Sequence, residues 1–86
     1  MGSLFQIDVI TPVDNINIGT SEYLRAPNLE GLFGVQAKHV SSIISIGSGE
    51  IKITQKGKEK FYLTTGGYVD IKPEGIILVL ETFEKK

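Results

Sequence analysis

The chain has 86 residues, a formal net charge of −1 and no cysteine. This length allows one small domain, and the lack of cysteine excludes disulfide bonds and thiolate metal sites. Scattered charges of both signs are not typical of a nucleic-acid-binding face, so we expect no nucleic-acid partner. No apolar run approaches the ~20 residues that a membrane-spanning helix needs.

Apolar and polar residues alternate with period two along most of the chain, which predicts half-buried β-strands. The first candidate is LFQIDVI, and turn residues in TPVDN separate it from INIG and TSEYLRA. Later candidates are IISI, EIKIT, KFYLT, YVDIK and IILVLE, separated by Gly-rich or Pro-containing turns. No window shows a capped helical stripe. The pattern predicts an all-β fold, a flattened antiparallel β-sandwich or barrel of about ten short strands.

The same alternation predicts the core and the domain limits. Residues 1–3 are expected to be disordered or a cloning remnant, residues 4–82 to form the domain, and residues 83–86 to form a tail. The predicted core residues are Phe5, Ile7, Val9, Leu24, Val35, Ile44, Ile51, Ile53, Phe61, Leu63, Val69, Ile71, Ile77 and Val79.

The segment NLEGLFGVQAKHVSS, residues 28–42, interrupts this pattern and is expected to be irregular. It contains the only histidine, His39. Ser41 and Ser42 follow His39 too closely for the geometry of a hydrolytic triad, and one histidine without cysteine is a poor start for a metal site. A phosphate-binding Gly-x-x-x-x-Gly-Lys-Ser/Thr loop is also missing from the sequence. We therefore expect no catalytic residue, no cofactor and no metal.

Four lysines, Lys52, Lys56, Lys58 and Lys60, form the one local basic cluster. A solvated hairpin tip is favoured over a phosphate-binding patch, because Glu50 and Glu59 lie beside the lysines and no aromatic residue alternates with them.

Several motifs together resemble the N-terminal β-sandwich domain of the epsilon subunit of F-type ATP synthases, over Leu4 to Thr82. They are IDVITP, then EGLFGV (residues 30–35) before His39, then Thr65-Gly66-Gly67-Tyr68, and finally VLET. The chain departs from that family around His39, where prolines and a glycine are replaced in QAK and VSS. It also ends before the C-terminal helical hairpin that most members carry.

The resemblance implies a non-catalytic subunit of the central stalk, which couples proton-driven rotation of the c-ring to ATP synthesis by binding the gamma subunit and the c-ring. Such a subunit is peripheral to the membrane, on the cytoplasmic face of a bacterial inner membrane or on an organellar inner membrane. The positions carried over to the c-ring side are Leu29, Glu30, Gly31 and Leu32. Those carried over to the gamma side are Thr11, His39, Ser42 and Ile44.

Two other functions stay open at this point. An unrelated β-sandwich module that binds carbohydrate or peptide would need an aromatic groove, for which folding would have to gather Tyr23, Tyr62 and Tyr68. A small hydrolase would depend on His39.

Overall fold

The computed structural model describes residues 4–28 and 42–86 and the backbone of residues 31–35. These residues form strands joined by turns, so the all-β prediction is confirmed. The strands are β1 (Phe5–Ile10), β2 (Asn15–Ser21), β3 (Tyr23–Asn28), β4 (Gly31–Val35), β5 (Ser42–Ile46), β6 (Gly49–Gln55), β7 (Lys58–Thr64), β8 (Gly67–Lys72), β9 (Gly75–Leu80) and β10 (Glu84–Lys85).

The strands form a sandwich of two five-stranded sheets. Sheet A has the order β2-β1-β9-β8-β5, and sheet B has the order β10-β7-β6-β3-β4. One pair departs from the antiparallel arrangement of the predicted sandwich, because β1 and β9 run parallel. A tight turn cannot join parallel neighbours, and here the intervening chain forms β2 to β8 before β9 enters sheet A beside β1.

The core lies between the sheets and follows the alternation of the strands. In β1 every second residue is buried, and β6 and β9 show the same pattern. The buried apolar residues of the described part are Phe5, Ile7, Val9, Leu24, Ala26, Ile46, Ile51, Ile53, Tyr62, Val69, Ile71, Ile76, Leu78 and Leu80.

Two strands present the face opposite to the predicted one. In β9 the buried residues are Ile76, Leu78 and Leu80 rather than Ile77 and Val79. In β7, Tyr62 and Thr64 point inward, while Phe61 is half-buried and Leu63 is exposed. Both strands are apolar on both faces, so periodicity alone could not choose between the faces, and the register with neighbouring strands decides it. Ile44 is likewise only half-buried, although it packs against the core.

The expectation of an irregular segment at residues 28–42 is wrong for its first part. Gly31–Val35 forms the regular strand β4, which pairs with β3 from Asn28 opposite Gly31 to Leu24 opposite Val35. Leu29, Glu30 and residues 36–41, with His39, lie outside the described residues, as do residues 1–3. The side chains of Leu32 and Val35 also lie outside them.

The predicted tail is part of the sandwich. After β9 the chain leaves sheet A, and Glu84–Lys85 pairs with Leu63 and Tyr62 of β7 in sheet B. Phe83 stacks on Tyr62 with ring centroids 4.4 Å apart. The backbone N–H of Thr65 donates to the Thr82 hydroxyl over 3.0 Å. The end of the described chain is therefore held by packing as well as by backbone pairing.

The bend at Gly66–Gly67 allows two segments to approach closely. A β-carbon on Gly66 would lie 2.9 Å from the carbonyl oxygen of Ile46, with φ at +125°. A β-carbon on Gly67 would overlap the carbonyl oxygen of Val79 and lie 2.9 Å from Leu80 Cα. These contacts are with backbone, which cannot rotate away, so glycine is required here.

We expect Gly67→Ala to lower the free energy of unfolding by about 3 kcal/mol, because the added methyl group must displace β9. Gly57→Ala is the control. Gly57 also has a positive φ, +75°, but a β-carbon added there would have no heavy atom within 4 Å, so it should cost only about 1 kcal/mol. Urea unfolding of both variants measures the difference, and equal losses would contradict the close-approach explanation.

We expect Phe83→Ala to lower the free energy of unfolding by about 2 kcal/mol, since it removes the stack on Tyr62. Glu84→Ala, at an exposed position of β10, should change it by less than about 0.5 kcal/mol. Thermal unfolding compares the two, and an unchanged Phe83→Ala variant would show that the segment after β9 frays in solution.

Candidate interaction surface

The outer face of sheet A carries an apolar patch that extends from β1 to the edge strand β5. One row across the sheet reads Ile10, Val79, Tyr68 and Ser45, and the next reads Asp8, Ile77, Asp70 and Ile43. The outer patch is defined here as Ile10, Ile43, Tyr68, Ile77 and Val79. Exposure is 70% at Ile43, 43% at Tyr68 and 38% at Ile10. This concentration of accessible apolar side chains on one face is typical of a protein–protein contact.

Two carboxylates lie within the outer patch. Asp8 accepts a 2.6 Å hydrogen bond from the Asn17 amide, and the Asp70 carboxylate lies 3.7 Å from Lys72 Nζ. Each carboxylate is half-buried and has a partner on the same face. Fixed polar groups inside an apolar patch restrict the orientation in which a partner can dock.

A shallow groove of about 690 Å³ continues the outer patch at one end of the sandwich. Its lining joins the turn after β1 (Thr11, Pro12) to the bend at residues 65–67, with Ile46 and Leu80 beneath. Thr11 is fixed by its turn, since its N–H donates to Asp14 O over 2.9 Å and its hydroxyl accepts from Asp14 N–H over 3.1 Å. Two motifs far apart in the sequence, ITP and TTGGY, therefore meet in one groove.

The end of β3 and the start of β4 lie at the same end of the sandwich as this groove. Gly47 N–H donates to Pro27 O over 3.0 Å, and the preceding residue, Ile46, lines the groove. The β6–β7 turn lies at the opposite end, because Tyr23 at the start of β3 pairs with Thr54 near that turn.

The outer face of sheet B has a different character. Glu50 contacts Lys86 Nζ at 2.5 Å and Arg25 Nη2 at 3.9 Å, and Lys52 contacts Glu59 at 3.2 Å. Lys52 Nζ also lies 5.5 Å from the centre of the Tyr23 ring. These charged side chains are paired with one another on the outer face of sheet B. Covering this face with a partner would therefore contribute less favourable free energy than covering the outer patch.

The predicted gamma-side residues do not form one cluster in the described part. Thr11 lies in the groove, whereas Ser42 is at the far end of β5, opposite Ile71. Ile44 is half-buried and packs against the core from the inner face of sheet A. His39, Leu29 and Glu30 lie outside the described residues. Gly31 and Leu32 lie in β4, with their backbones opposite Asn28 and Pro27.

Sequence reasoning missed the main residues of the outer patch. It did not select Ile43, it considered Tyr68 for a binding surface only as part of an aromatic groove with Tyr23 and Tyr62, and it assigned Val79 and Ile77 to the core. A usable signal existed in β5, because SIISI cannot bury both Ile43 and Ile44 on one face of a sandwich. In β9 both faces are apolar, so the buried face could be identified only from the register of β9 with β1 and β8.

The described residues do not gather the three tyrosines into a groove. Tyr23 lies on the outer face of sheet B, Tyr62 is buried between the sheets, and Tyr68 belongs to the outer patch. The described part also lacks any group of three histidine, cysteine or acidic residues that could hold a metal ion. It likewise contains no helix with the length and apolarity needed to cross a bilayer.

Residues 4–86 match the family model of the β-sandwich domain of the ATP synthase delta/epsilon chain. The chain belongs to this family. The family resemblance inferred from the motifs is therefore confirmed.

Relatives and solved structures agree with this assignment. The chain is 28% identical over 80 residues to the ATP synthase epsilon chain of Shouchella clausii, covering 93% of this chain and 60% of the relative. It is 25% identical over 81 residues to the epsilon chain of Alkalilimnicola ehrlichii, covering 93% of this chain and 58% of that relative. The chain thus spans about 60% of the length of these relatives.

The fold is shared with chains of two mitochondrial ATP synthases. One, from the Euglena gracilis OSCP/F1/c-ring assembly, superposes with a TM-score of 0.89 at 15% identity, over 99% of this chain and 55% of that one. Another, from the Tetrahymena thermophila central stalk and c-ring, superposes with a TM-score of 0.77 at 19% identity, over 95% of this chain and 66% of that chain. At these identities the likeness concerns the fold alone.

Proposed function

We propose that the chain is the β-sandwich part of the epsilon subunit of an F-type ATP synthase, a non-catalytic component of the central stalk. The observation that carries this proposal is the family match over residues 4–86, together with relatives that are named epsilon chains. In this role the chain binds the gamma subunit and the c-ring and couples c-ring rotation to ATP synthesis. It is peripheral to a bacterial inner membrane on the cytoplasmic side, or to an organellar inner membrane.

The outer patch is the proposed gamma-binding surface. Burying Ile43, Tyr68 and Ile10 removes accessible apolar area from water, which is the main favourable term in protein association. The groove extends the contact to Thr11, one of the residues carried over to the gamma side. Asp70 is paired with Lys72, so a partner can cover it without leaving an unpaired charge, whereas Asp8 is hydrogen-bonded to the neutral Asn17 amide and keeps its negative charge.

Leu29, Glu30, Gly31 and Leu32 are the proposed c-ring contact. Asn28 and Gly31, which flank Leu29 and Glu30 in the sequence, lie at the same end of the sandwich as the groove, so gamma and the c-ring would meet neighbouring parts of the domain.

We expect Ile43→Asp to weaken association with the gamma subunit encoded in the same genome by about 30-fold, roughly 2 kcal/mol, because a carboxylate would be buried in the contact. Leu63→Asp is the matched control, since Leu63 is an exposed apolar residue (43%) on the outer face of sheet B. Titration calorimetry with gamma measures both variants.

The proposed surface requires that Leu63→Asp bind as the unchanged chain does. Equal losses in the two variants, or full affinity of Ile43→Asp, would remove the outer patch from the gamma contact. If the unchanged chain itself failed to bind gamma, the proposed function would be wrong.

We expect Leu32→Asp to reduce incorporation into c-ring-containing complexes by about tenfold while changing the melting temperature of the isolated domain by less than about 2 °C. Quantitative pull-down on the c-ring, with calorimetry of the isolated domain, tests this. A large drop in melting temperature would instead show that Leu32 belongs to the core.

A further inference from the structure

The β6–β7 turn carries three lysines around one pocket. An open pocket of about 450 Å³ at this end of the sandwich is lined by Thr20, Gln55, Lys56, Lys58 and Lys60. We propose that this pocket, called here the lysine pocket, binds adjacent phosphate groups of a small polyanion. The proposal does not depend on the function proposed above.

Strand alternation brings two of these lysines onto the inner side of sheet B. Tyr62 and Thr64 of β7 point into the core, so Lys60 and Lys58, two and four residues before Tyr62, project to the same side. Lys60 is opposite Ile53, and Lys58 is opposite Gln55. The two side chains extend the inner face of sheet B beyond the core. They face the edge strand β2 of sheet A, and the pocket lies between them and this strand.

Gln55 gives the lysine pocket a fixed floor. Its Nε2 donates to the carbonyl oxygens of Ile18 and Thr20 in β2, each over 3.0 Å, and its Oε1 accepts from Lys60 Nζ over 3.1 Å. The amide group therefore joins the two sheets and orients one ammonium group. The third lysine, Lys56, is set by the turn, where φ is +52° at Lys56 and +75° at Gly57.

The carboxylates that neighbour these lysines in the sequence are engaged elsewhere. Glu59 projects to the outer face and pairs with Lys52, and Glu50 pairs with Lys86 and Arg25. Glu22 accepts the Gly57 N–H over 2.9 Å. Among the described residues, no carboxylate lies within ion-pair distance of Lys56, Lys58 or Lys60. The sequence favours a solvated tip because Glu50 and Glu59 lie beside the lysines. In the structure, both carboxylates form their ion pairs on the outer face of sheet B, away from the lysine pocket.

Phosphate chemistry fits this arrangement better than other ligands do. Ammonium groups on flexible stems act as adjustable point charges for phosphate oxygens. The pocket has the volume of a small-molecule site, while no aromatic residue in its lining offers a surface for a nucleobase. The site should therefore recognise linked phosphates, either as inorganic polyphosphate or as the phosphate tail of a nucleotide, without recognising the base.

The test is a titration of the isotope-labelled chain with inorganic tripolyphosphate, followed by amide NMR shifts. We expect saturable shifts at Thr20 and residues 55–60, with binding that weakens as salt is raised. Lys58→Gln should weaken binding by about tenfold. Lys52→Gln, which removes a lysine of the outer face, should leave it unchanged. Lys56→Asn serves as a second variant, because asparagine tolerates a positive φ.

ATP and adenosine distinguish the two sources of phosphate. The proposal expects ATP to bind within about threefold of tripolyphosphate and adenosine not to bind. Shifts spread over all surface lysines, equal losses in Lys52→Gln and Lys58→Gln, or no saturation by about 10 mM tripolyphosphate would overturn the lysine pocket. Much tighter binding of ATP than of tripolyphosphate would overturn the claim that only phosphate is recognised.

Discussion

The parallel pairing of β1 with β9 is the constraint on which the rest of the sandwich depends. It sets Ile7 beside Ile76 and Val9 beside Leu78, so that the inner faces of the two central strands are apolar together. β8 joins the same register through Val69 and Ile71. Because β9 is apolar on both faces, this register decides which of its residues are buried and which are left on the surface.

The same register produces the asymmetry between the two outer faces. Turning Ile76 and Leu78 inward leaves Ile77 and Val79 on the outside of sheet A, next to Tyr68 and Ile10. Sheet B instead covers its outer face with ion pairs. An isolated domain gains nothing from an exposed apolar face, whereas a subunit that docks on a partner buries that face. In the function proposed above, gamma is that partner.

Strand number, sandwich class and most of the β1, β6 and β8 core could be predicted from alternation, since polar residues mark their outer faces. The inner faces of β7 and β9 could not, because both sides of KFYLT and IILVL are apolar. The parallel pair was also beyond prediction, as it joins residues about 70 positions apart that no local signal links. Likewise, Glu50 and Glu59 could be assigned to the outer face of sheet B, away from the lysine pocket, only once the register of β6 and β7 was known.

The most direct test of the outer patch uses single cysteines, since the chain has none of its own. Ser45→Cys reports on the outer face of sheet A beside Tyr68, and Leu63→Cys reports on that of sheet B. Maleimide labelling rates are measured for the free chain and for the complex with gamma. We predict that complex formation slows labelling at position 45 by about tenfold or more and leaves position 63 unchanged. Unchanged labelling at position 45 in a formed complex would contradict the account.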